Sequence, residues 1–63
     1  MTNTEWNMAI DWLQGESGNC VEEGNKAILA EDLCGGRMYF MFEGDELIQQ
    51  SWSLITAMCW LRD

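Results

Sequence analysis

The stretch DELIQQSWSLITAMCWL, Asp45 to Leu61, decides how the chain is read. Wound as one helix, it places Leu47, Ile48, Trp52, Leu54, Ile55, Met58, Cys59 and Leu61 on one side at spacings of three and four. Glu46, Gln49, Gln50, Ser53 and Thr56 fall on the other side. Asp45 follows Gly44 and is placed to accept an orphan N–H and cap the first turn. Arg62 sits where a cation suits the negative end of the helix dipole. A second parse makes Glu43-Gly44-Asp45-Glu46 a hairpin turn, LIQQS a strand, and only the residues from Trp52 onward a helix. Ser51, Ser53 and Thr56, mediocre helix formers, speak for it. The unbroken apolar stripe favours the single long helix.

Upstream of it, Arg37–Phe42 reads RMYFMF, the clearest strand in the chain: aromatic, and apolar on both faces. Such a strand is buried on both sides, or buries its second side on another subunit. A strand needs a mate, and KAILAEDLC, Lys26–Cys34, is the candidate. Its period also fits a short helix with Asn25 as N-cap and Gly35 just past its end. Pairing of 26–31 with 37–43 is the preferred arrangement, bounded by turns at Glu23-Gly24-Asn25 and Gly35-Gly36. Before these, Thr4 to Gln14 carries Trp6, Ala9, Ile10 and Leu13 on one helical face, with Trp12 at its margin. Thr2 and Glu5 have capping-box spacing, Thr4 being the other candidate cap, and Gly15 to Asn19 is a loop. The expected fold is a single α+β domain over 1–63: N-terminal helix, two- or three-stranded antiparallel sheet, C-terminal amphipathic helix.

With 63 residues the chain is one small domain, and 48% apolar composition with four tryptophans excludes a disordered tail. That much apolar surface on so short a chain favours self-association or docking. Three cations (Lys26, Arg37, Arg62) stand against eleven acids, a net charge of −8. Phosphate repels such a chain, so neither direct nucleic-acid binding nor an anionic membrane is expected. Cys20, Cys34 and Cys59 form no close pair, which points to free thiols in a reducing, cytoplasmic setting. No leader is expected, nor a membrane-spanning apolar run.

The chemistry-bearing residues are few. Glu22-Glu23, Glu31-Asp32 and Asp45-Glu46 are adjacent carboxylates beside turns, where solvation keeps them ordinary acids. FEGDEL lacks the ligand array of a calcium loop, and without histidine or a CxxC no zinc site is expected. A cysteine nucleophile has no histidine base here, and the cysteines read as small buried hydrophobes. Gly35-Gly36-Arg37 lacks the spacing of a phosphate loop. No catalytic residue, metal or cofactor is expected. Trp60 projects from the polar side of the 45–61 helix, a position typical of binding hot spots.

These readings converge on a non-enzymatic protein that occupies a basic surface of a protein partner through Glu22, Glu23, Glu31, Asp32 and Trp60, with Asp11 and Glu16 as extensions. Set along one strand, the two acidic pairs lie roughly 25–30 Å apart, a spread on the scale of several duplex phosphates. In composition, though in no motif, the chain resembles small phage and mobile-element proteins that block a host enzyme. That resemblance implies an inhibitor or DNA mimic acting on a nucleic-acid-handling enzyme, and assigns no residue. A homodimer is expected, with Leu54, Ile55 and Met58 of the helix and Tyr39 and Met41 of RMYFMF at the interface; the alternative function is a structural or regulatory subunit that acts by homo-oligomerising through apolar contacts.

Overall fold

Three two-residue turns fold the middle of the chain into a meander. The computed structural model describes residues 1–63. Its strands are β1 (Cys20–Glu23), β2 (Lys26–Leu33), β3 (Gly36–Glu43) and β4 (Glu46–Ser51), flanked by α1 (Asn3–Leu13) and α2 (Leu54–Arg62). The sheet is antiparallel throughout, in the order β1-β2-β3-β4. Gly24 and Gly44 open their turns with φ of +61°, as a tight hairpin matched to strand twist requires. The pairs Glu23↔Lys26 and Glu43↔Glu46 close those turns. The two turns lie at the same end of the sheet, where the Gly44 N–H donates to the Asn25 carbonyl at 2.8 Å.

Both helices lie on one face of this sheet. Ile28 and Ala30 of β2 and Tyr39 and Met41 of β3 point toward them. There they meet Ala9 and Leu13 of α1 and Ala57, Met58 and Leu61 of α2, forming one buried cluster. Alanines at 9, 30 and 57 let helix and strand backbones approach, while Leu13, Ile28, Met41 and Met58 fill the space fully. Trp6, Ile10, Val21, Leu54 and Trp60 close its margins.

The ends of the helices are fixed by named groups. Thr2 and Glu5 make the expected capping box: Thr2 N–H donates to Glu5 Oε1 at 2.9 Å, and Glu5 N–H to Thr2 Oγ1 at 3.1 Å. The last turn of α1 contains no cation. Arg37 of β3 supplies one, donating from Nη1 to the carbonyls of Leu13 (3.0 Å) and Gly15 (2.6 Å) and from Nε to Asp32 Oδ1 (2.7 Å). Arg62, in the last turn of α2, lies 4.7 Å from the Trp6 ring centroid.

Two expectations are corrected. The segment 45–61 is not one helix: 46–51 is strand β4, and α2 begins only at Leu54, capped by Ser53, whose Oγ accepts the Thr56 N–H at 3.2 Å. Asp45 sits in the β3–β4 turn instead of capping a helix. The physical reason is the free edge of β3, which β4 satisfies along Tyr39 to Glu43, with a bulge opposite Met41/Phe42. The sheet has four strands, not two or three, because the short, half-acidic CVEE segment also pairs, against β2. The preferred pairing of 26–31 with 37–43 is present, over 26–33 and 36–43; Asn25 lies in a turn, so the rival short helix with Asn25 as its cap is not formed.

Candidate functional site

The sheet face away from the helices carries no covering element. Strand alternation brings Ala27, Leu29, Glu31 and Leu33 of β2 to it, beside Phe42, Phe40 and Met38 of β3. Phe42 adjoins Leu47 of β4, and Phe40 adjoins Gln50. On the other flank Glu22 of β1 adjoins Ala27, and Cys20 adjoins Leu29. Leu33, Leu47 and Trp52 are 44–55% exposed, and Leu29, Phe40 and Phe42 are half-buried only by their neighbours. Met38 is the one buried residue of this face. The indole of Trp52 crosses the β2–β3 turn, and a Cβ built on Gly35 would lie 3.5 Å from it. The ring lies in van der Waals range of the Gly35-Gly36 backbone and extends the apolar face past the end of β4. Four strands about 4.8 Å apart and about 20 Å long give a face of roughly 400 Å² in projection. Patches of that order on small proteins mark interaction sites.

Charge on this face is one-sided. Glu22 and Glu31 are on it, and no cation is. All three cations are on the helix side, engaged with the chain itself: Arg37 and Arg62 as above, and Lys26 donating to the Trp60 carbonyl at 2.9 Å with Nζ 5.0 Å from the Trp60 ring centroid. The hydrogen bond from Arg37 holds the Asp32 carboxyl below the usual aspartate range, and Asp32 raises the Arg37 guanidinium in turn. The backbone N–H of Thr2 holds Glu5 low in the same way.

The acids expected at the partner surface divide between two faces. Glu22 and Glu31 are on the open face; Glu23 and Asp32, one residue further along, face the helices. Glu23 lies 3.8 Å from the terminal ammonium, and Asp32 is taken by Arg37. Because β1 folds back on β2, Glu22 and Glu31 are about 14 Å apart and Glu23 and Asp32 about 20 Å, shorter than the extended spacing expected. Asp11 and Glu16 are exposed, on α1 and in the loop after it. Trp60 is not a projecting anchor: it is half-buried against the core, under Lys26.

The residues expected at a dimer interface are corrected too. Met58, Tyr39 and Met41 are buried in the monomer core, and Leu54 packs on it, so only Ile55 is exposed. The alternation of RMYFMF turns Tyr39 and Met41 inward and leaves Phe40 and Phe42 on the open side. Because the strand is apolar on both faces, its composition identified two apolar sides without telling which one meets the helices. Cys34 and Cys59 are exposed where burial was expected, and Cys20 is exposed as well. Partial burial, with Glu22 nearby, pushes the Cys20 thiol above the ordinary value.

A second, smaller feature is a shallow cleft of about 280 Å³ between α1 and β1, lined by Met8, Trp12 and Val21 and by Glu5, Glu22 and Glu23. Trp12 ties its two sides together, donating its indole N–H to the Cys20 carbonyl at 3.1 Å. No helix is long and apolar enough to cross a membrane. Comparisons with protein-family models, with curated proteins and with solved structures found no match to this chain.

Proposed function

We propose that this chain is a non-enzymatic binding module that docks on a basic surface of a partner protein. The observation that carries the reading is the disposition of charge. Every cation is consumed on the helix side by a carboxylate, a carbonyl or an aromatic ring, so the −8 net charge is presented to solvent almost wholly as unopposed carboxylates. A field of that sign attracts a positive surface, speeds its encounter and repels nucleic acid. The division of the four acids between two faces favours a partner met by one face over a mimic that threads a single nucleic-acid groove.

The test is affinity capture by the immobilised chain at low and high salt, read by mass spectrometry. A basic protein held at low salt, released as salt rises, and not held after Glu22→Lys with Glu31→Lys is the expected result. A partner retained equally by the charge-reversed chain and at high salt rejects the reading.

A further inference from the structure

We infer that the open face of the sheet is the seat of a basic amphipathic helix belonging to the partner protein. This rests on the binding reading above and names the surface and the chemistry of the segment it takes. The face is divided lengthwise. Its β3–β4 half, with Phe40, Phe42, Leu47 and Gln50, holds no acid; its β1–β2 half carries Glu22 and Glu31 among Ala27, Leu29 and Leu33, and no cation. A segment that fits must bring an apolar stripe to the first half and cations to the second. The carboxylates are about 14 Å apart nearly along the strands, which a helix rising 1.5 Å per residue spans in about nine residues. Two lysines or arginines seven to eleven residues apart on one flank of a helix meet that spacing within the reach of their side chains. The opposite face of the same sheet already packs the apolar sides of α1 and α2, so a helix on the open face completes a third layer of the same kind.

Charge disfavours a second copy as the occupant. Two open faces pressed together bring four carboxylates and no cation into one interface, with Glu31 already half-buried in each.

The probe is a fluorescein-labelled synthetic helix of about 18 residues, with leucines along one face and two lysines about seven residues apart on one flank. Binding is followed by anisotropy at low salt. The variant peptide with glutamates in place of the lysines is expected to bind at least about tenfold more weakly. Leu47→Ser, at an exposed position, and Phe40→Ser, with circular dichroism confirming the fold, are each expected to weaken the lysine helix about tenfold, as is Glu22→Lys with Glu31→Lys. Glu46→Lys with Asp63→Lys, both off the open face, is expected to change binding less than about threefold. If Leu47→Ser and Phe40→Ser leave affinity unchanged while both charge-reversed chains lose it equally, attraction is diffuse: the seat is overturned and the basic-partner reading stands. No binding of the lysine helix by the unaltered chain overturns the seat as well. A dimer in sedimentation that Leu47→Ser dissociates assigns the face to a second copy and also overturns it.

Discussion

Ile28 and Leu29 are consecutive residues of one strand, and the two-layer arrangement makes them unequal. Ile28 is fully buried between β3 and the helices, while Leu29 lies on the open face and is half-exposed. Ile28→Ala removes three carbons. At about 0.8 kcal/mol per buried methylene this is about 2.4 kcal/mol, and an unfilled cavity raises it to about 3–4 kcal/mol. Leu29→Ala removes as many carbons from a side chain that keeps much of its contact with water, for a loss of about 1 kcal/mol. The strand-propensity cost of alanine is common to both and cancels in the comparison. A chain of 63 residues has a total stability of about 3–9 kcal/mol. Ile28→Ala therefore removes from about a third to all of it, and Leu29→Ala from about a tenth to a third. Urea titration followed by tryptophan emission and far-ultraviolet circular dichroism reads the difference. With a slope of about 1 kcal/mol per molar, the midpoint falls by about 3 M for Ile28→Ala and about 1 M for Leu29→Ala. Equal losses would refute the reasoning, because Leu29 would then be buried under something and its side of the sheet would be covered. A greater loss at Leu29 would place the helices on the other side.

Other consequences are as direct. Ser53→Ala removes the cap of α2 and is expected to cost about 1 kcal/mol, whereas Asp45→Ala, in a turn, is expected to cost less than about 0.5 kcal/mol; the same urea titration separates them. Asp32 and Glu5 have folded pKa values below their unfolded ones, so each adds stability above the unfolded value that is lost as pH falls through the folded one; thermal melts should weaken below about pH 4, and Asp32→Asn should flatten that limb. All three thiols should react with a chromogenic disulfide in the native protein without reductant, Cys20 most slowly near neutral pH because burial and Glu22 suppress its thiolate. Ile55→Glu should leave the fold intact and Met58→Glu should unfold it, since the first is 57% exposed and the second buries an unpaired charge.

The parts of the fold legible in the sequence are those set by local chemistry. Thr2 and Glu5 announce the start of α1, and the Gly-Gly turn between two apolar runs announces the β2–β3 hairpin, because a cap and a turn are decided by a few neighbouring residues. CVEE was not legible. Two of its four residues are acids, and its strand character comes from β2 beside it. The candidate site was half legible: the acidity and the two-sided apolarity of RMYFMF are in the composition, but which carboxylates share a face depends on register. A shift of one residue separates Glu22 from Glu23 and Glu31 from Asp32.

The 45–61 segment shows why periodicity can mislead at a sheet edge. In β4 five of six residues are exposed, so the segment has no buried side to impose an alternation of two. Its pairing partner is distant enough in kind, an aromatic strand with a free edge, that nothing within ELIQQS records it. Leu47 and Ile48, adjacent because Ile48 falls at the bulge, then align by chance with the true stripe of α2 and lengthen it. What distinguishes the two readings lies at the junction. Ser51, Trp52 and Ser53 interrupt the strand with two hydroxyls, one accepting the Ser53 N–H at 3.0 Å and the other capping α2. A serine pair around an aromatic is a stop and a start, and here it also sends Trp52 back over the Gly35–Gly36 turn to the open face. The residue that looked like a member of the helix stripe is thus part of the surface on which the binding proposal rests. Its exposure follows from the same break that ends the sheet.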